Sequence, residues 1–155
     1  MTVAERGRRL ENRLYAAIRH SRARDAASAA PAPGSLRSLD GHRHCLVVSY
    51  RRSGEPVATP VWFALDGERL VFESDADSAK VKRIRRDPRV RVAPCTIRGN
   101  PVGPPLEGVA RVLDGEPAEA AELALDGKYG RLRRVLTGMR PVPPAGLAYV
   151  EVRAG

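Results

Sequence analysis

The stretch Ser78-Ala79-Lys80-Val81-Lys82-Arg83-Ile84-Arg85-Arg86 sets a hydroxyl and five cations within nine residues, straight after the polar run Ser74-Asp75-Ala76-Asp77. A polar loop entering a helix leaves backbone N–H groups without intrahelical partners, and cations on the first turns add charge, so such a start favours a phosphate. Asp77 or Ser78 can cap this helix, and Asp87-Pro88 ends it, because proline disfavours α geometry in the residue before it. At about 100° per residue Val81 and Ile84 share one apolar stripe with Lys80 on its flank, while Lys82, Arg83 and Arg86 point further out. The competing reading is a solvated helix in an arginine-rich chain.

Other chemistry is scarce. The sequence has no G-x-S-x-G, H-E-x-x-H, G-x-G-x-x-G or G-x-x-x-x-G-K, which removes most hydrolase and nucleoside-triphosphatase readings. Cys45 and Cys95 lie 50 positions apart, too far for a redox or zinc pair, and Cys95 reads as a small buried hydrophobe. His42 and His44 form H-x-H without an accompanying ligand cluster, so no metal site is expected. If the chain catalyses a reaction, the reactive centre belongs to a cofactor.

The elements that must position these residues are mostly strands. Residues 1–35 read as an extension: an amphipathic helix to Arg24 with Leu10, Leu14 and Ile18 on one face, then a small-residue linker from Ala26 to Gly34. Residues 36–155 form the core domain. Strands are expected at Cys45–Tyr50, Val57–Leu65, Arg69–Ser74, Val90–Thr96, Leu106–Leu113 and Leu147–Val152, the first three joined by turns too short for parallel crossovers. A second helix begins near Pro117, Lys128-Tyr129-Gly130 breaks or ends it, Arg131–Leu136 continues as a short helix, and Met139–Pro144 is loop. This order predicts a mainly β protein with short helices, a small Greek-key barrel rather than a doubly wound sheet.

The net charge of +9 favours anionic partners. Nucleic acid is not the expected one, since 5% aromatic residues give no interleaved stacking pattern. No apolar run reaches signal-peptide or membrane-span length, so a soluble, cytoplasmic protein is expected.

Several motifs in order carry a resemblance. Glu55 to Phe63, Ser74 to Val90, Ala93 to Pro104, Glu107 to Arg111 and Lys128 to Gly130 resemble the pyridoxamine 5′-phosphate oxidase-like superfamily, in particular its branch of oxidoreductases dependent on coenzyme F420, a deazaflavin. The resemblance implies a six-stranded antiparallel split β-barrel of the FMN-binding type, and a homodimer with cofactor at its interface. Thr59, Pro60, Val61 and Trp62 would line the ring system. Ser74, Ser78 and Lys80 would hold phosphate, with Arg83 and Arg98 as further cations, and Pro94, Cys95 and Thr96 would set backbone groups against the ring. It implies hydride transfer from reduced deazaflavin to a small unsaturated organic substrate. The proton would come from solvent or a nearby hydroxyl, for which Tyr129 and Thr59 are the candidates, and no catalytic residue is assigned. The alternatives are an FMN enzyme of the same fold, a non-catalytic cofactor carrier and a basic nucleic-acid-binding protein. By itself, Thr59–Trp62 also reads as an ordinary edge strand, where proline is tolerated.

Overall fold

The structure, a computed structural model, describes residues 21–138 and 146–155, with residues 131–138 as backbone only. The expected helical face of Leu10, Leu14 and Ile18 and the 139–144 loop lie outside the described residues. A 3₁₀ turn at Ser21–Arg24 runs into α1 (Asp25–Ser28), and a second at Leu36–Leu39 leads to the strands. These are β1 (His44–Tyr50), β2 (Pro56–Asp66) and β3 (Arg69–Asp75), then α2 (Ala79–Arg86), β4 (Arg89–Cys95), β5 (Leu106–Leu113), α3 (Gly115–Gly138) and β6 (Leu147–Ala154).

All six strands pair antiparallel and close in the order β1-β2-β3-β6-β5-β4. Strand β4 returns beside β1, outside the β1-β2-β3 run, which is the Greek-key arrangement. Alternation then sorts the side chains. Cys45, Val47, Val61, Phe63, Leu70, Phe72, Val90, Val92, Val150 and Val152 fill the barrel, and Ile84 of α2 joins them. On the outside, α3 covers Ala64, Val71 and Leu113 with Ala121 and Leu125. Cys45 and Cys95 sit on neighbouring strands but in separate packing clusters, and both are free thiols.

Residues 21–35 lie on the barrel. Ala23 and Ala26 are buried among Leu46, Val48, Ala58, Ala93 and Cys95. The Arg91 guanidinium donates to the carbonyls of Ala27 at 3.1 Å and Ala29 at 2.9 Å, and the Ala32 N–H to that of Pro105 at 2.9 Å.

The barrel is split because two ladders stop short. β2 pairs with β1 along Pro56–Trp62 but with β3 only over Phe63–Asp66. β4 pairs with β5 only over Arg89–Val92. In an antiparallel strand the N–H and C=O of one residue point to the same side, and the side alternates. The Arg51 N–H bonds the Glu55 carbonyl at 2.9 Å, so odd-numbered residues of β2 turn their backbone groups toward β1 and even-numbered ones away. Pro60 therefore lacks its donor on the side where β3 has already left. Likewise the Ala110 N–H bonds the Pro88 carbonyl at 2.8 Å, which turns even-numbered residues of β4 toward β5. Pro94 then lacks its donor where β5 has left, and the Val102 N–H takes its carbonyl at 2.9 Å. Each proline sits where a ladder no longer needs an N–H.

Two features of the β5–β6 wall make predictions. A Cβ on Gly108 would lie 2.7 Å from Val152 Cγ1 and 2.8 Å from the Arg153 carbonyl oxygen. Backbone cannot yield as a flexible side chain can, so Gly108→Ala should destabilise by about 1–3 kcal/mol, read as a lower urea midpoint. An unchanged midpoint would mean the strands are not this close.

Glu151, 4% exposed, meets Arg69 at 3.0 Å, Arg111 at 3.1 Å and Arg153 at 3.3 Å. Burial alone would raise its pKa; the hydrogen bonds from Arg69 and Arg153 and the charge of Arg111 outweigh that and hold it below the ordinary carboxylate value. With the folded pKa below the unfolded value of about 4.3, the stabilisation is complete well above that pH and is lost as pH falls through the folded pKa. Unfolding free energy should therefore rise with pH across the acid range, and Glu151→Gln should flatten that rise; an identical slope in the variant would show that Glu151 is not its source.

Candidate functional site

Across the split, the register of β2 and β3, if continued, would set Trp62, Val61 and Pro60 opposite Glu73, Ser74 and Asp75. One lip is thus the unpaired edge of β2; the other is the end of β3 with the start of α2. By the alternation above, the β2 lip beyond the last β2–β3 pair presents the carbonyls of Ala58 and Pro60 and the N–H groups of Ala58 and Trp62.

The other lip is built by the cap of α2. Ser78 Oγ accepts from the Val81 N–H at 3.2 Å and lies 3.0 Å from Ser74 Oγ, which fixes two hydroxyls together at the helix start. Lys80 is half-buried and its ammonium stands 5.9 Å from the centroid of Phe72. Arg83 does not point outward as the helical projection predicts. Its Nε donates to Ser49 Oγ at 2.8 Å, and Ser49 is fully buried in β1. A buried hydroxyl in an apolar strand needs a partner, and this one turns the guanidinium inward. Ser49 is the residue that sequence reasoning missed; its signal was a lone polar position in Cys45-Leu46-Val47-Val48-Ser49-Tyr50. Lys82 and Arg85 are exposed on the outer face of α2.

Within β2 the candidate side chains divide. Val61 is buried in the barrel core, and Thr59 Oγ1 makes a long 3.5 Å contact with the Val47 carbonyl. Trp62 stacks on Tyr129 of α3, with centroids 4.8 Å apart, and meets the edge of His44 at 6.0 Å. What Thr59–Trp62 offers the split is chiefly backbone.

Pro94 and Cys95 lie on the far side of β1 from β2, about 10 Å away at two strand spacings. The loop after them, which carries Thr96 and Arg98, folds back across β1, and a Cβ on Gly99 would stand 3.7 Å from Pro60 Cγ. Here the Thr96 N–H bonds the Asn100 carbonyl at 3.0 Å, and Thr96 Oγ1 accepts from the Asn100 N–H at 3.1 Å. Cys95 is buried, and burial pushes its thiol up to about 12, so it stays protonated at neutral pH. The continued register sets Ser74 across the split from Val61, with Ser78, Lys80 and Arg83 on the adjoining α2. Pro94 and Cys95 are held apart from this lip by β1, while the loop that follows them returns to Pro60 at Gly99.

Tyr129 is not placed to give up a proton. Its hydroxyl accepts from the Phe63 N–H at 2.9 Å and stands within donating distance of the carbonyls of Phe63, 2.6 Å, and Arg43, 2.7 Å. Burial is the main cause that raises its pKa. The hydroxyl fills the rung just past the end of the β1–β2 ladder. Gly130, at φ 54° and ψ −132°, makes the kink in α3 directly after Tyr129, a conformation open to glycine and closed to most side chains.

A sequence match decides the family: the family model for pyridoxamine 5′-phosphate oxidase covers residues 36–151. The chain belongs to the pyridoxamine 5′-phosphate oxidase family. Solved structures share this family's barrel. An F420 reductase is 26% identical, TM-score 0.52, over 80% of this chain and 96% of its own. A FAD-binding protein from Mesorhizobium loti is 18% identical, TM-score 0.55, over 76% and 84% of the two chains. The heme storage protein HutZ from Vibrio cholerae is 9% identical, TM-score 0.57, over 76% and 84%. At the last two identities the likeness is one of fold. No curated protein matches the sequence. Among the described residues no helix is long and apolar enough to cross a membrane, and no group of three or more His, Cys, Asp or Glu residues is placed to hold a metal ion.

Proposed function

We propose that the protein is an oxidoreductase that uses coenzyme F420 to reduce a small unsaturated organic compound, working as a cytoplasmic homodimer with the cofactor at the subunit interface. The observation that carries the reading is the split itself: an unpaired strand edge faces two hydroxyls and a half-buried ammonium at a helix start. The donor set suits a phosphate, which takes charge-assisted bonds from Lys80 and hydroxyl bonds from Ser74 and Ser78. Alternating carbonyls and N–H groups of Ala58, Pro60 and Trp62 suit the polar edge of a flat ring. The exposed Lys82 and Arg85 add positive potential for a further acidic tail. Support for the deazaflavin over other ring cofactors comes from the 26%-identical F420 reductase.

When bound in its reduced form, the deazaflavin supplies a hydride to a conjugated acceptor. The chain's part is to hold phosphate and ring edge at fixed points, so that the acceptor meets the ring in one orientation, and to line the inner split with Val61 and Phe72, which exclude water. With Tyr129 committed to the backbone, Thr59 and solvent are left as proton sources. Ile97 and Val102, 71% and 52% exposed on the loop after β4, are apolar surface that a second subunit would cover. The same lips suit FMN, and a carrier that only binds would use them in the same way.

The test is turnover: reduced coenzyme F420 mixed with the protein and a panel of enones and quinones, followed by the return of deazaflavin absorbance. Acceleration that scales with protein supports the enzyme. Binding without acceleration across the panel would favour the carrier, and acceleration with reduced FMN alone would favour the flavin enzyme.

A further inference from the structure

A second concave site lies beyond the inner end of the split, where α3 crosses the start of β1 and the end of β2. It is a cleft of about 530 Å³, within the size range of small-molecule sites. Its lining combines an apolar floor, Ala64 and Leu65, with charged walls, Asp40, Arg43 and Lys128. Lys128 as a residue is solvent-exposed, but its ammonium is drawn in against the ring of the buried Phe63, 3.6 Å from the centroid. It donates to the His42 carbonyl at 2.6 Å. An ammonium has three donors, and no other hydrogen bond is made by this one among the described residues. Partial desolvation lowers its pKa, so an arriving anion would stabilise the charged form. Two cations against the single carboxylate of Asp40, whose Oδ1 already accepts from the Gly41 N–H at 3.0 Å, leave the walls one positive charge in excess.

We propose that this cleft binds a small amphipathic monoanion, a carboxylate head at Lys128 and Arg43 with an apolar body on Ala64 and Leu65. The inference does not rest on the cofactor reading. One wall of the cleft is Tyr129, which stacks on Trp62, the sole tryptophan of the chain, so occupancy should reach the indole.

The experiment titrates the full chain, free of added cofactor, with sodium octanoate and with neutral octanamide, reading Trp62 fluorescence and confirming with calorimetry. Two variants accompany it. Lys128→Met keeps a stem to cover Phe63 and removes the charge. Gly127→Phe fills the cleft: Gly127 lines it, has open space where a Cβ would stand, and lies in helix α3, where phenylalanine is tolerated better than glycine. The expected result is saturable octanoate binding at one site, about tenfold or more tighter than octanamide. Lys128→Met should weaken octanoate by about tenfold or more and leave octanamide unchanged, and Gly127→Phe should abolish binding of both. Absence of saturable octanoate binding at millimolar concentration, equal affinity for the amide, or undiminished binding by Gly127→Phe would each overturn the proposal.

Discussion

Replacing Lys80 by alanine is expected to weaken binding of coenzyme F420 about ten- to a hundredfold while shifting folding stability by less than about 1 kcal/mol. A charge-assisted hydrogen bond to phosphate is worth about 1.5–3 kcal/mol, which converts to that range of affinity. Lys80 stands two residues after the Ser78 cap, half-buried beside Phe72, where such a bond is screened less than on the open surface. Lys82→Ala, on the exposed face of the same helix, is the control. Removing that charge should change affinity by less than about threefold at moderate salt, since exposed charges are screened beyond roughly 8–10 Å. Equal losses from the two variants would mean that the helix acts through its general field and that the Ser74–Ser78–Lys80 cluster is no discrete phosphate site.

Tyr129→Phe is expected to destabilise the fold by about 2 kcal/mol, because the ring survives and the hydroxyl does not. Phenylalanine can keep the stacking on Trp62, yet the N–H of Phe63, a fully buried residue, loses its acceptor at the rung where β1 and β2 part. An orphaned buried backbone group costs about 1–3 kcal/mol. Thermal melting should fall by roughly 6 °C in a chain of this size, with secondary structure retained at low temperature. A melting point unchanged from wild type would show that the hydroxyl is not a structural rung and would return it to consideration as a proton donor.

Strand positions were legible because alternating or continuous apolar runs stood between turn residues. The ends of each expected strand fall within one or two residues of their places, and the Greek-key order followed from turns too short for crossovers. The capping of α2 and its Val81–Ile84 stripe were legible for the same local reason. Long-range choices were not. Helical projection put Arg83 outside, but the buried Ser49 hydroxyl, 34 positions earlier, turns it inward. Ala23 and Ala26 have no periodic contrast with their neighbours, so their burial on β1, β2 and β4 left no mark in the pattern. Pro60 and Pro94 were visible as residues, yet their meaning depends on which side of each strand has lost its neighbour, and that is a property of register. The same register separates Pro94 and Cys95 from Thr59–Trp62 by the width of β1, and the loop after them crosses back to Pro60 at Gly99, neither of which sequence order could convey.

The central claim is that the split between β2 and α2 is a cofactor site. Its most direct test is calorimetric titration of the purified wild-type chain with coenzyme F420 and, separately, with FMN, at low and at moderate salt. Saturable binding of one coenzyme F420 per chain is predicted, tighter than FMN and weakened, without being lost, as salt rises. Failure of both cofactors to bind at either ionic strength would contradict the claim, and the paired hydroxyls, Lys80 and the open edge of β2 would then need another explanation.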